Sequence, residues 1–356
     1  MSNFDEALER FHLNDLEYSG GLASHGPMGA EALEALGHQA LIPAFLDIYV
    51  PRLPPAEPGR ALSAAEEAAA RGEIARRSDW VATFEAELAE GDWRDVVAAR
   101  VPDLLPGLFA AAGHGFLRVA HGVRSLLRED SPLRRRELAR GLAHWATRYQ
   151  TLPGTPGKSA GSEAAVASLP KTIAAWPWVG EEEARAGYFF EIVTRLGDFP
   201  DFARAVEAAP LPAATELDAY LDALCAASAS MYLAHPEARI AYVHTVTLPS
   251  AMRILAPLLE EADQVRAVGY VLQAVGALHS MFGERREPGE IDAEVEAGSA
   301  DWNEIRYRAA CSIQEHAIKM TEACWGEEKR SGNPVFRLAA SDAALRLEGT
   351  RSAGGC

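Results

Sequence analysis

Apolar positions recur along this chain at helical spacing, and alternating β-branched runs of strand length are absent. Short Gly or Pro punctuation separates stretches of roughly 12 to 25 residues. Ser63-Ala64-Ala65-Glu66 is a capping box opening an alanine-rich helix that stops near Gly72. Pro27 precedes the segment Met28–Leu36, Pro132 the segment carrying His144, and Pro236 the segment carrying His244. Each proline stands where a first helical turn tolerates it. The pattern predicts an all-α fold, a large helical bundle read as one domain over residues 1–356. Its weakest point is Leu152–Gly161, rich in Pro and Gly, which reads as a loop, a lid or a boundary between two halves. The acid- and glycine-rich stretch from Glu284 to Ala300 reads as a surface insertion. No repeat of fixed period points to a solenoid.

Against this pattern three apolar windows stand out. The chain has 51 Asp and Glu residues, yet none falls within Pro106–Leu127, Arg239–Leu259 or Val265–Gly283. These windows carry His114 and His121, then His244, then His279. Seven residues make two helical turns less about 20°, so His114 and His121 share one face. His316 and Lys319, three apart, are also neighbours on a helix. His25 stands immediately before a helix start, where its ring can reach into a bundle. Taken singly, each histidine reads as a core imidazole bonded to a carbonyl, and Lys319 as a lysine snorkelling at a helix edge. Taken together, several imidazoles on separate acid-free helices would each need a buried partner. A metal site between helices supplies one partner for all, and bundles build such sites from converging ligands. His12, His38, His144 and His235 lie near helix ends or polar flanks and keep the plainer reading.

Composition narrows the function classes. A chain of 356 residues, 48% hydrophobic and 24% charged, has the make-up of a globular enzyme. A formal charge of -17 and the lack of a basic stripe argue against nucleic acid. The run Arg134-Arg135-Arg136, beside Glu137, reads as a solvated helix face. Cysteines 225, 311, 324 and 356 are too widely spaced for a zinc knuckle or a disulfide framework. The first residues lack the features of a signal peptide, and no apolar run is long enough to span a bilayer. A cytoplasmic protein with reduced thiols and no membrane partner is expected. No Gly-x-Gly-x-x-Gly follows a strand, so any NADPH dependence needs another mode of binding or a partner reductase.

Four segments, in order, carry a resemblance: Ser24-His25-Gly26-Pro27-Met28, Gly113–His121, Ala241-Tyr242-Val243-His244-Thr245-Val246-Thr247 and Glu315-His316-Ala317-Ile318-Lys319. Across about residues 10 to 330 the chain resembles the questin oxidase-like family. That family includes Baeyer–Villiger oxidases of aromatic polyketide pathways and an anthraquinone ring-opening dioxygenase that uses non-haem iron. The resemblance implies an oxygenase acting on an aromatic polyketide-like or phenolic substrate with dioxygen. It implies metal ligands His25, His121, His244 and His316, with Lys319 as a carboxylated lysine. His114 and His279 have no obvious counterpart in the fungal members and are candidates for catalytic or substrate-facing roles, as are Arg118 and Tyr242, which would orient the substrate or move a proton. Lysine carboxylation is chemically coherent here. Burial favours the neutral amine, which captures carbon dioxide to give the anionic oxygen that acid-free helices lack. Fe(II) is the expected metal, although zinc, nickel and manganese accept the same donors. The alternatives are a helical zinc-type metallohydrolase and a metal-free helical protein that binds an apolar ligand. Trp145, Trp176, Trp178, Phe116 and Phe282 would surround an apolar pocket under all three readings.

Overall fold

In the computed structural model of the protein, the described residues are 2–157, 164–179, 187–283 and 293–347. Among them the fold is all-α, with eighteen α-helices and one two-stranded hairpin. The chain divides into two compact units, Met1–Thr151 and a second starting at Leu152. The division falls where the Pro- and Gly-rich stretch begins. Residues 158–163 of that stretch and 284–292 of the acidic segment lie outside the described residues.

The first unit contains α1 (Asn3–Phe11), the hairpin β1 (Glu17–Tyr18) and β2 (Leu22–Ala23), α2 (Gly26–Ala35), α3 (Ile42–Tyr49), α4 (Ala64–Ala70), α5 (Arg77–Glu90), α6 (Trp93–Leu104), α7 (Ala110–Arg128) and α8 (Pro132–Thr147). In the hairpin Glu17 lies opposite Ala23. The tight turn needs positive φ at Ser19 and Gly20, which a pattern search for strands does not register. The Ser63–Glu66 capping box and the prolines at the starts of α2 and α8 are where the sequence places them.

Two devices hold α7 in place. The first is backbone approach to α8. A Cβ on Gly115 would sit 2.5 Å from the Trp145 Cα, and one on Gly141 3.0 Å from the Val119 nitrogen. Glycines on both helices therefore let the two backbones close on each other.

The second device is a ladder of buried ion pairs between α8 and the N-terminal segment. Arg134 pairs with Asp5 at 3.2 Å, Glu137 meets both Arg118 and His12, and Glu17 meets both His144 and Arg148. The basic run is thus only partly a solvated face. Arg136 is exposed, but Arg134 is buried and also donates to the Ser125 carbonyl at 2.9 Å. His12 and His144, at the polar flanks of their helices, are buried on these carboxylates.

The second unit contains α9 (Ala165–Ala174), α10 (Phe189–Ile192), α11 (Pro200–Ala208), α12 (Leu217–Ala234), α13 (Arg239–Leu255), α14 (Glu261–Phe282), α15 (Ala293–Gly298), α16 (Trp302–Ser312), α17 (Glu315–Ser331) and α18 (Val335–Arg346). The apolar α13 is central, lying against α12, α14 and α17. Cys225 and Cys324 are buried and Cys311 is exposed, all as free thiols. No helix among the described residues is long and apolar enough to cross a membrane.

The ladder makes a pH prediction. Burial alone would raise the Glu17 carboxyl, but hydrogen bonds from Arg148 and His144 outweigh it and hold the group at about 2 against an ordinary 4.5. A depressed carboxyl stabilises the fold fully above its unfolded value and loses that effect as pH falls towards its folded value. Glu17→Gln should lower unfolding free energy by up to roughly 3 kcal/mol at neutral pH. Urea unfolding should show this deficit narrowing as pH drops below 4.5. A deficit equal at neutral and acid pH would refute the linkage.

Candidate metal centre

In the first unit the site begins at the start of α2. His25 is the residue just before that helix, and its amide donates to the Tyr49 hydroxyl at 2.7 Å. Gly26, next in sequence, lies against the ring of Phe11 where no Cβ fits. These two contacts fix the backbone from which the His25 ring projects.

Its Nε2 stands 2.6 Å from Nε2 of His114, with the rings edge to face. The His114 ring is itself set by a backbone anomaly. Ala111, Ala112 and Gly113 are all left-handed, with φ/ψ of 47/49, 61/31 and 83/4 degrees. The left-handed region costs an L-residue roughly 1–2 kcal/mol. The Ala111 carbonyl is engaged by Nδ1 of His114. A carbonyl only accepts, so Nδ1 carries the proton and Nε2 of the neutral ring keeps its lone pair.

From His114 onward α7 is regular, and His121 does lie on the same face. It meets a different partner: its Nδ1 is 2.6 Å from Oε2 of Glu31, further along α2. Glu31 is 1% exposed and also pairs with Arg124 and Arg128. Arg118 is buried and held by Glu137 through two bonds of 2.6 and 2.9 Å, as part of the frame between α7 and α8.

In the second unit α13 and α17 bring His244 and His316 together, with ring centroids 5.6 Å apart. His244 donates from Nδ1 to the Ile240 carbonyl at 2.8 Å, one turn back, so the neutral ring carries its lone pair on Nε2. Gln314 caps α17 by accepting from the amides of His316 and Ala317 at 2.7 and 2.9 Å. Both rings are neutral at physiological pH. Burial drives His244 to about 3 and His316 well below its ordinary value, and the charge of Lys319 pushes each further down. Lys319 itself is 2% exposed.

Elsewhere on α13, Tyr242 places its hydroxyl 2.8 Å from Nδ1 of His279 on α14. His235 stacks on the Tyr242 ring at 4.5 Å. Burial first, then His235, lowers His279 to about 4. Phe189 lies edge-on to His244 and against Phe282.

His25, His114, His244 and His316 are all buried and make up a group that could hold a metal ion. Three of these are the histidines that the resemblance names as ligands. The fourth is His114, which the sequence reading placed in a catalytic role, whereas His121 is not in the group. Helical periodicity cannot choose between two positions on one face; Glu31, hidden in an alanine-rich helix, makes the choice by taking His121. Phe189 was likewise missed, because the aromatic run Tyr188-Phe189-Phe190 lies outside the acid-free windows that carry the histidines. Of the aromatics expected around an apolar pocket, Trp145, Trp176, Phe116 and Phe282 are buried and Trp178 is half exposed. A groove of about 590 Å³ in the first unit is lined by Glu85, Leu88, Asp130, Ser131, Arg135 and Arg136, and no histidine reaches it. No protein-family model matches this chain, and no curated protein matches it either.

The two α7 histidines should separate cleanly in a binding assay. His114→Ala should weaken zinc binding by more than the roughly 10- to 100-fold that the loss of an outer partner costs. His121→Ala should bind zinc within a few-fold of the parent and melt at a lower temperature, because buried Glu31 loses one of its partners. Equal loss of zinc in both variants would count against the choice of His114.

Proposed function

We propose that His25, His114, His244 and His316 hold one metal ion, and that the protein is a metal-dependent oxygenase acting on an aromatic, phenolic substrate. The observation that carries this reading is the group of four buried imidazoles with no Asp or Glu in it. The donor set fits a divalent transition metal: neutral imidazole suits iron, zinc, nickel and copper alike. Two of the four rings have Nδ1 fixed by a backbone carbonyl, the arrangement that orients metal-binding histidines. The resemblance to questin oxidase-like enzymes favours iron, and Lys319 is the residue that would bear a carboxylate. Bound Fe(II) would supply the one-electron chemistry that lets dioxygen react with an electron-rich ring.

The chain's own residues divide the remaining work. His244 and His316 stay unprotonated because they are buried, so their lone pairs are available at neutral pH. Phe189 and Phe282 offer aromatic surface beside His244 for a planar substrate. Tyr242 and His279 share a hydrogen bond that orients the Tyr242 hydroxyl towards a substrate oxygen. Arg118, committed to Glu137, takes no part in this scheme.

Metal analysis of the purified protein should find about one transition metal per chain, retained on dialysis against buffer. His316→Ala and Lys319→Ala should each lose most of it. Equilibration with 13C-bicarbonate should give a carbamate carbon signal that Lys319→Ala lacks. Dioxygen uptake should depend on an added hydroquinone or anthrone and stop in both variants. Full occupancy in both variants would rule out the ligand set, and turnover that persists without oxygen would reassign the site to metal-assisted hydrolysis.

A further inference from the structure

We propose that the left-handed turn Ala111–Gly113 is a positioning device that fixes which nitrogen of His114 faces His25. Left-handed residues are normally glycine, and this turn uses alanine at two of its three positions. Both alanines are buried, at 4% and 1% exposure, so no solvent relaxes them. Strained backbone persists where its surroundings over-determine it, and here they do. The Gly113 amide donates to the Phe109 carbonyl at 3.1 Å, closing the turn from its N-terminal side. On the other side Gly115 is pressed against the Trp145 backbone, while the Trp145 indole donates to the Gly107 carbonyl at 2.9 Å. The segment is therefore clamped at both ends on α8.

The turn brings the Ala111 carbonyl within reach of the side chain three residues later. That contact forces the Nδ1–H form of His114, the less common tautomer of a free imidazole. Its consequence propagates to His25. The 2.6 Å contact between the two Nε2 atoms needs a proton from one of them. His114 has placed its proton on Nδ1, so His25 is the donor and His114 presents a lone pair. A cation then finds the His114 nitrogen without a proton of its own, and His25 joins as a ligand once its proton has moved from Nε2 to Nδ1.

This role deepens the metal reading and rests on it for the ligand, but the tautomer and the strain exist without any metal. The experiment uses the full chain and the variants Ala111→Gly and Ala112→Gly, singly and together, with zinc as the probe. Glycine adopts the left-handed turn without strain, and that relief outweighs the extra freedom glycine gives the unfolded chain, so the double variant should melt roughly 2–8 °C higher. Glycine also frees the turn to move, so zinc affinity should fall roughly 10-fold, the lower end of the cost of losing an outer partner. Opposite signs for stability and affinity are the signature of positioning, since a purely structural role moves both together.

In parallel, 15N spectra of histidine-labelled protein, assigned with His114→Gln, should show His114 as the Nδ1–H form in the parent. A higher melting point with unchanged zinc affinity, a lower melting point, or an Nε2–H form of His114 would each overturn the proposal. Absence of zinc binding in the parent would instead sink the metal reading, while the tautomer and melting data would still decide this one.

Discussion

The structure depends on burying imidazoles that have no carboxylate to protonate them. Taking a cationic ring out of water costs far more than taking out a neutral one, so desolvation first, and the charge of Lys319 after it, disfavour the protonated forms of His244 and His316. A nearby acid would reverse this by stabilising the imidazolium. The contrast exists within one helix: His121 has Glu31 at 2.6 Å and joins an ion cluster, whereas His114 faces another imidazole and a backbone carbonyl. Acid-free windows in the sequence are thus the chemical condition for the site, more than a by-product of hydrophobic core.

That condition carries a structural burden, because neutral buried rings still need their second nitrogen satisfied. Backbone carbonyls do this twice by different means. His244 uses an ordinary one, a turn back along a regular helix. His114 sits at the beginning of its helix, beside a left-handed turn that supplies the Ala111 carbonyl. The close approach of α7 and α8 through Gly115 and Gly141, and the ion-pair ladder from Asp5 to Arg148, hold that turn in place. Much of the charge in the first unit is spent on this frame, Arg118 included.

Helical content was legible because periodicity, capping boxes and helix-start prolines report local backbone preference, and these agree with one another here. All four members of the histidine group stand out in sequence as imidazoles on or just before predicted helices. His114 was visible as a histidine on an apolar helix, but its role was not. His114 and His121 have the same phase on the same helix, and nothing local separates them. The buried Arg134 was misread for a related reason, since a run of three arginines looks solvent-facing until Asp5 is seen opposite it.

By itself, then, the sequence determined which segments are helical, which of them exclude acids, and where imidazoles and one lysine stand along them. Those are one-dimensional properties, set by neighbours within a few residues. Tertiary structure decided which carboxylate meets which ring, because Glu31 and His121 are 90 positions apart. It also decided the left-handed turn: alanine is a strong helix former, and only packing against α8 makes it accept the opposite hand.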